Sequence, residues 1–129
     1  TQIVEGSGDI SYDPNTKQFS GLIDLGTLPT GSYDIKIHTS KYLKKLLPRQ
    51  VITTGTTTQM PITTLLVGDV NNDNILDILD YQLMSKQPCF GSSSPFVGGC
   101  GEGDINDDNA IGIVDLNYLL SNFGKQHGD

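Results

Sequence analysis

The second half of this chain carries one acidic twelve-residue pattern twice, thirty-five positions apart. The first copy runs from Asp69 to Asp80 and the second from Asp104 to Asp115. Loop positions 1, 3, 5 and 12 hold oxygen-bearing side chains in both, and position 8 holds a branched aliphatic. Oxygen-only donors at that spacing suit one hard divalent cation per loop, and calcium tolerates such a flexible ligand set. The carboxylates also repel one another: unit charges about 4 Å apart cost roughly 4 kcal/mol at an effective dielectric near 20. A dication would turn that repulsion into attraction. A pair of acidic turns without metal is the alternative, and two copies in register count against it.

The ligands follow position by position. In the first loop Asp69, Asn71 and Asp73 give side-chain oxygens, Ile75 its carbonyl, Asp77 a direct or water-mediated contact, and Asp80 the closing carboxylate. In the second the roles fall to Asp104, Asn106, Asp108, the Ala110 carbonyl and Asp115. Position 9 there is Gly112, so water must stand in, which predicts a weaker or wetter second site. Position 6 calls for φ > 0, and Asn74 and Asn109 are of the non-glycine type that reaches that region most readily.

An EF-hand is helix, loop, helix, but here only the exiting helices are predicted. Residues 61–68 are β-branched and begin with Pro61, which reads as extended chain. Residues 98–103 are too glycine-rich for a stable helix. After the loops, Ile78, Leu79, Leu83 and Met84, and then Ile113, Leu116, Leu119, Leu120 and Phe123, recur at helical spacing. The helices are expected to end near Lys86 and Gly124.

This duplication resembles a dockerin module over about residues 66–124. Gly68-Asp69-Val70-Asn71-Asn72-Asp73 and Gly103-Asp104-Ile105-Asn106-Asp107-Asp108 are similar to the family's G-D-[VI]-N-x-D opening, and Asp80-Tyr81 and Asp115-Leu116 to its close. The resemblance implies an extracellular or cell-surface, calcium-dependent plug that binds a cohesin-like domain. The family's partner-reading pair, at loop positions 10 and 11, falls on Ile78-Leu79 and Ile113-Val114. In the best-known dockerins that pair is small and hydroxylated. Apolar pairs imply either a greasy interface or helices packed internally on the chain's own β-sandwich.

The first half reads as β. Residues 8–12 and 18–25 flank a turn at Asp13-Pro14-Asn15-Thr16, and Tyr33, Ile35 and Ile37 alternate onto one face. Leu28-Pro29-Thr30-Gly31-Ser32-Tyr33, with the later Gly55-Thr56-Thr57, resembles small β-sandwich modules of the carboxypeptidase-regulatory-like group over about residues 17–64. It is also similar to the X-module-like sandwich that precedes some dockerins. The expected fold class is therefore α+β. An N-terminal Ig/prealbumin-like β-sandwich (1–64) is followed by a small α-helical dockerin-like pair of loop-helix calcium hands (65–129).

Charge supports that division. The net charge is −7, yet residues 65–129 hold ten acids and two bases while residues 1–64 hold five acids and six bases. Four of the eight bases lie between Lys41 and Arg49. That stretch reads as a short helical turn with solvated lysines, as a docking patch for the acidic half, or as a site for an anionic partner. There is no basic stripe for nucleic acid and no apolar run of membrane-spanning length. The chain opens at Thr1, as expected of a processed piece or excised domain.

Cys89 and Cys100 flank a flexible Gly/Ser linker. A disulfide between them closes a short loop and suits an extracellular setting; two free thiols are the alternative. No nucleophile elbow, phosphate loop or His/Cys/carboxylate constellation is present, so the expectation is a non-catalytic, monomeric docking or anchoring module binding two calcium ions. A calcium-stiffened stalk or cap of a larger surface protein is a second reading. A carbohydrate-binding module using Tyr12, Tyr33 and Tyr42 is a third.

Overall fold

A computed structural model describes residues 3–124 and 127–129. The chain divides into two compact units, residues 1–33 with 51–60, and residues 34–50 with 61–129.

The first unit contains a short antiparallel hairpin, β1 (Ser11–Asp13) with β2 (Gln18–Ser20). Its turn is the expected one. The Asp13 carboxylate accepts the Asn15 N–H at 2.8 Å and the Asp13 carbonyl accepts the Lys17 N–H at 2.7 Å. Tyr12 and Phe19 face each other across the pair, ring centroids 5.2 Å apart. A second closure joins residues 28–30 to 54: the Thr54 hydroxyl donates to the Leu28 carbonyl, and the Thr54 N–H donates to Thr30 Oγ1.

β3 (Gly31–Ile37) pairs with β5 (Lys45–Ile52) and shows the anticipated alternation, with Tyr33, Ile35 and Ile37 on its more buried face. In the second unit, β4 (Lys41–Tyr42) pairs antiparallel with β6 (Val67–Asp69) through a register irregularity. Two helices follow the acidic loops: α1 (Ile78–Ser85) and α2 (Ile113–Asn122). A 3-10 turn at Gly101–Gly103 leads into the second loop. The core of this unit is one cluster that includes Leu43, Val70, Leu76, Met84, Ile105, Ile111 and Leu119. Cys89 and Cys100, joined as a disulfide, are buried in it.

The expected fold class is corrected by this arrangement. The chain is not an N-terminal Ig/prealbumin-like β-sandwich followed by a helical pair. Among the described residues it is mostly short strands in three two-stranded ladders, with two short α-helices. The physical reason lies in residues 41–47. The apolar positions Leu43 and Leu47 are buried, as a turn of helix would place them, but the backbone is extended. β4 hydrogen-bonds to β6 at the entrance of the first loop, so chain from the first half completes the unit that holds both loops.

Candidate functional site: two matched acidic loops

Each loop is preceded by a glycine packed under the loop's position 8. Gly68 has φ +133°, and a Cβ there would stand 2.7 Å from Leu76 Cδ1. A Cβ on Gly103 would meet Ile111 Cδ1 at 3.2 Å. Leu76 and Ile111 are both core residues, which explains the invariance of glycine-then-aspartate and of the position-8 aliphatic between the copies.

The loops then close on their own carboxylates in the same way. Asp69 accepts the N–H groups of Asp73 (3.0 Å) and Asn74 (2.9 Å), and Asp104 those of Asp108 (3.1 Å) and Asn109 (2.9 Å). Asp80 Oδ1 accepts from Val70 (2.8 Å) and Asn71 (3.2 Å), and Asp115 Oδ1 from Ile105 (2.7 Å) and Asn106 (3.3 Å). Their second oxygens accept the N–H of position 9, Asp77 or Gly112, at 2.8 Å. Asp73 and Asp108 accept from Ile75 and Ala110. The expected positive φ at position 6 occurs in both copies, 69° at Asn74 and 70° at Asn109. A second left-handed residue at position 4, Asn72 and Asp107, went unread in the sequence. Adjacent Asx residues were its only signal.

Position 9 marks the difference between the copies. Asp77 caps α1 by accepting the Leu79 N–H at 2.8 Å, and Gly112 has no side chain to do so.

Asp69, Asp80, Asp104 and Asp115 are buried. Ion pairs among the described residues are Lys41–Asp107 and Lys45–Asp129, so none of the four buried carboxylates has a basic side chain as partner. Burial, with coulombic repulsion from neighbouring carboxylates as a lesser cause, pushes the Asp69 and Asp80 carboxyls above their ordinary value despite the N–H groups they accept. Among the described residues no group of three or more His, Cys, Asp or Glu side chains is gathered as a metal cluster. The loop carboxylates are turned onto backbone N–H groups, and a complete oxygen set needs the Asn71 and Asn106 amides and the position-7 carbonyls as well. That donor chemistry, oxygen only and rich in carboxylate, is the kind hard divalent cations take.

Each loop is also covered by a different stretch of chain. Ser93 bridges to Ala110, with Gly91 donating to the Ile111 carbonyl and Ser94 to the Asn109 carbonyl. His127 bridges to Ile75, and Gly128 donates to the Asn74 carbonyl. The segment around β4 reaches both loops. Its Lys41 and Lys44 N–H groups donate to Asn72 and Asn74 Oδ1 at 3.0 and 2.8 Å. The Lys41 ammonium reaches the second loop.

The apolar pairs at the helix starts are exposed: Ile78 54%, Leu79 48%, Ile113 62% and Val114 47%. Tyr81, Tyr118 and Leu120 on the same helices are exposed too. Cys89 and Cys100 form the expected disulfide.

No family model matches the chain, and no curated protein matches it. Solved structures do, and two of them are of a type II cohesin–X–dockerin complex from Acetivibrio cellulolyticus. One is a C-terminal interface mutant (23% identity, TM-score 0.56) and the other an N-terminal interface mutant (20% identity, TM-score 0.50). Each match covers 77% of this chain and 66% of the other. The likeness is one of fold. It does not extend to a helical pair following a sandwich.

Proposed function

We propose that this chain is a non-catalytic, calcium-binding docking module of the dockerin-like kind, acting outside the cell or at its surface. The observation that carries the reading is the split fate of apolar residues in each loop. The position-8 aliphatics, Leu76 and Ile111, are buried, while the pairs at positions 10 and 11 stay exposed. Exposed aliphatic pairs repeated at the start of both helices are surface a monomer has no reason to keep, and they suit a partner. The same exposure weighs against internal docking of those pairs on the chain's own strands.

One ion would be held by Asp69, Asn71, Asp73, the Ile75 carbonyl, Asp77 and Asp80. A second would be held by Asp104, Asn106, Asp108, the Ala110 carbonyl, water at Gly112, and Asp115. Calcium would neutralise carboxylates that the fold buries without cations, and would fix the starts of α1 and α2. The fold likeness to a cohesin–X–dockerin complex supports a cohesin-like domain as partner. The disulfide suits an oxidising compartment.

The test is calorimetric mixing with type II cohesin domains in millimolar calcium and in excess chelator. A complex that forms only with calcium, and that Ile78→Ser/Leu79→Ser or Ile113→Ser/Val114→Ser weakens at unchanged melting temperature, is expected. Binding that ignores both chelator and these substitutions would refute the assignment.

A further inference from the structure

Lys41 holds the same place in both loops at once. It stands opposite Asp69, position 1 of the first loop, in the β4–β6 ladder. Its N–H donates to the side chain of Asn72, position 4 of that loop, at 3.0 Å. Its ammonium donates to the carbonyl of Asp104, position 1 of the second loop, at 2.7 Å. It also pairs with the carboxylate of Asp107, position 4 of the second loop, at 2.7 Å. One residue thus ties positions 1 and 4 of one copy to positions 1 and 4 of the other.

The anchor is unequal in a useful way. The Lys41 side chain is 13% exposed, whereas the Asp107 side chain is 81% exposed. The lysine is therefore fixed by the fold, and the second loop is held to it. The backbone at Lys41 has φ +72°, a conformation a lysine adopts only where its surroundings hold it. Asn72 and Asp107 are themselves left-handed, so Lys41 grips each loop at one of its two left-handed positions.

We infer that Lys41 is a positioning residue that couples the two loops, so that ordering one orders the other. Under the calcium reading of the previous section, on which this consequence rests, occupancy of the two loops becomes cooperative. Without the lysine each loop would order, and fill, by itself. The ammonium's own repulsion of a dication falls on the second loop, which it touches, and does not link the two; the shared hydrogen bonds do.

The experiment compares the wild type with Lys41→Met, which keeps the apolar stem, and Asp107→Gly, which releases the ammonium's surface partner while permitting positive φ. Amide exchange is followed at Asn74 and Asn109 in metal-free protein, and calcium is then titrated by calorimetry. Lys41→Met is expected to raise exchange at both amides by about fivefold or more, the lower end of ordinary coupling between sites. Asp107→Gly should raise it at Asn109 and, more weakly, at Asn74. Lys41→Arg should restore the wild-type pattern. In the titration the wild type is expected to fill cooperatively and Lys41→Met as two independent sites.

Exchange that rises at one loop only, or at neither, would overturn the coupling. A wild type that binds no calcium but shows linked exchange would refute the calcium reading and leave the coupling supported. Should Lys41→Met unfold, Asp107→Gly, altered only at the surface, decides through the same two amides.

Discussion

Asp80→Asn separates what the first loop does for the fold from what it does for a cation. Asp80 is fully buried, accepts three backbone N–H groups and has no basic partner. Asparagine keeps one oxygen, which can still serve Val70 and Asn71. Val70 also donates to the Gly68 carbonyl, so it is not orphaned in either case. The lost contact is the one from Asp77, now facing an amide NH2 instead of an oxygen. An unsatisfied N–H costs about 1–3 kcal/mol, and bonds to a neutral acceptor are weaker than those to a carboxylate. Against this, the substitution removes a desolvated charge whose protonation the fold already favours. The net loss in metal-free protein is about 1–2 kcal/mol. With calcium the variant also loses a ligand charge. At a hundredfold excess of calcium over its dissociation constant, a filled loop contributes about 2.7 kcal/mol that an empty one does not. For a unit of this size 1 kcal/mol moves the melting temperature by roughly 4–8 °C. Thermal unfolding by circular dichroism should therefore show a calcium-induced rise at least about 10 °C smaller in Asp80→Asn than in wild type. Equal rises in the two proteins would mean that Asp80 binds no cation, and the ligand assignment would fall.

The remaining predictions concern the same unit. Gly68→Ala is expected to destabilise by about 1–3 kcal/mol from overlap with Leu76 alone, and by more because of its positive φ, while Gly103→Ala costs less; urea unfolding ranks them. Reducing Cys89–Cys100 should cost about 2–3 kcal/mol, since it closes a span of 11 residues, and Cys89→Ala/Cys100→Ala should match the reduced wild type in chemical denaturation. In chelator, the raised Asp69 and Asp80 carboxyls make the folded chain bind protons more readily than the unfolded one. Their contribution is most favourable below the ordinary value of 3.8 and is lost as pH rises through the folded values. Melting curves of wild type minus Asp69→Asn/Asp80→Asn, measured against pH, isolate that slope, and calcium should reverse it.

The helix after each loop, the left-handed Asn74 and Asn109 and the disulfide were legible because each depends on neighbours in sequence. The assembly around the loops was not. The stretch from Lys41 to Leu47 has apolar residues compatible with a helical turn and with a strand. Its pairing with Val67–Asp69, a contact distant in sequence, decides for extended chain and brings residues 34–50 into the second unit. Lys41 stood out only as one base among four, because nothing local distinguishes a lysine that spans two loops from one in water. The covers at residues 91–94 and 127–129 gave no signal either. Both are short polar stretches held to a loop by backbone hydrogen bonds, with Asp129 also reaching Lys45 and the Leu46 N–H through its carboxylate. Asp77, read as a possible ligand, caps α1, and helix-start chemistry could have anticipated that role.

An anchoring role of the kind proposed above would put this chain under tension, and Cys89–Cys100 limits how far it can yield. The two residues are separated by 11 positions, and their Cα atoms lie 5.2 Å apart. Stretched chain spans at most about 3.3–3.6 Å per residue, so the crosslink withholds roughly 30–35 Å of contour length from any rupture under tension. The same bond keeps the 91–94 cover beside the second loop even after α1 has been drawn out. Tension should thus strip the first loop while the second keeps its cover, and a reducing medium would abolish that order by lengthening the slack.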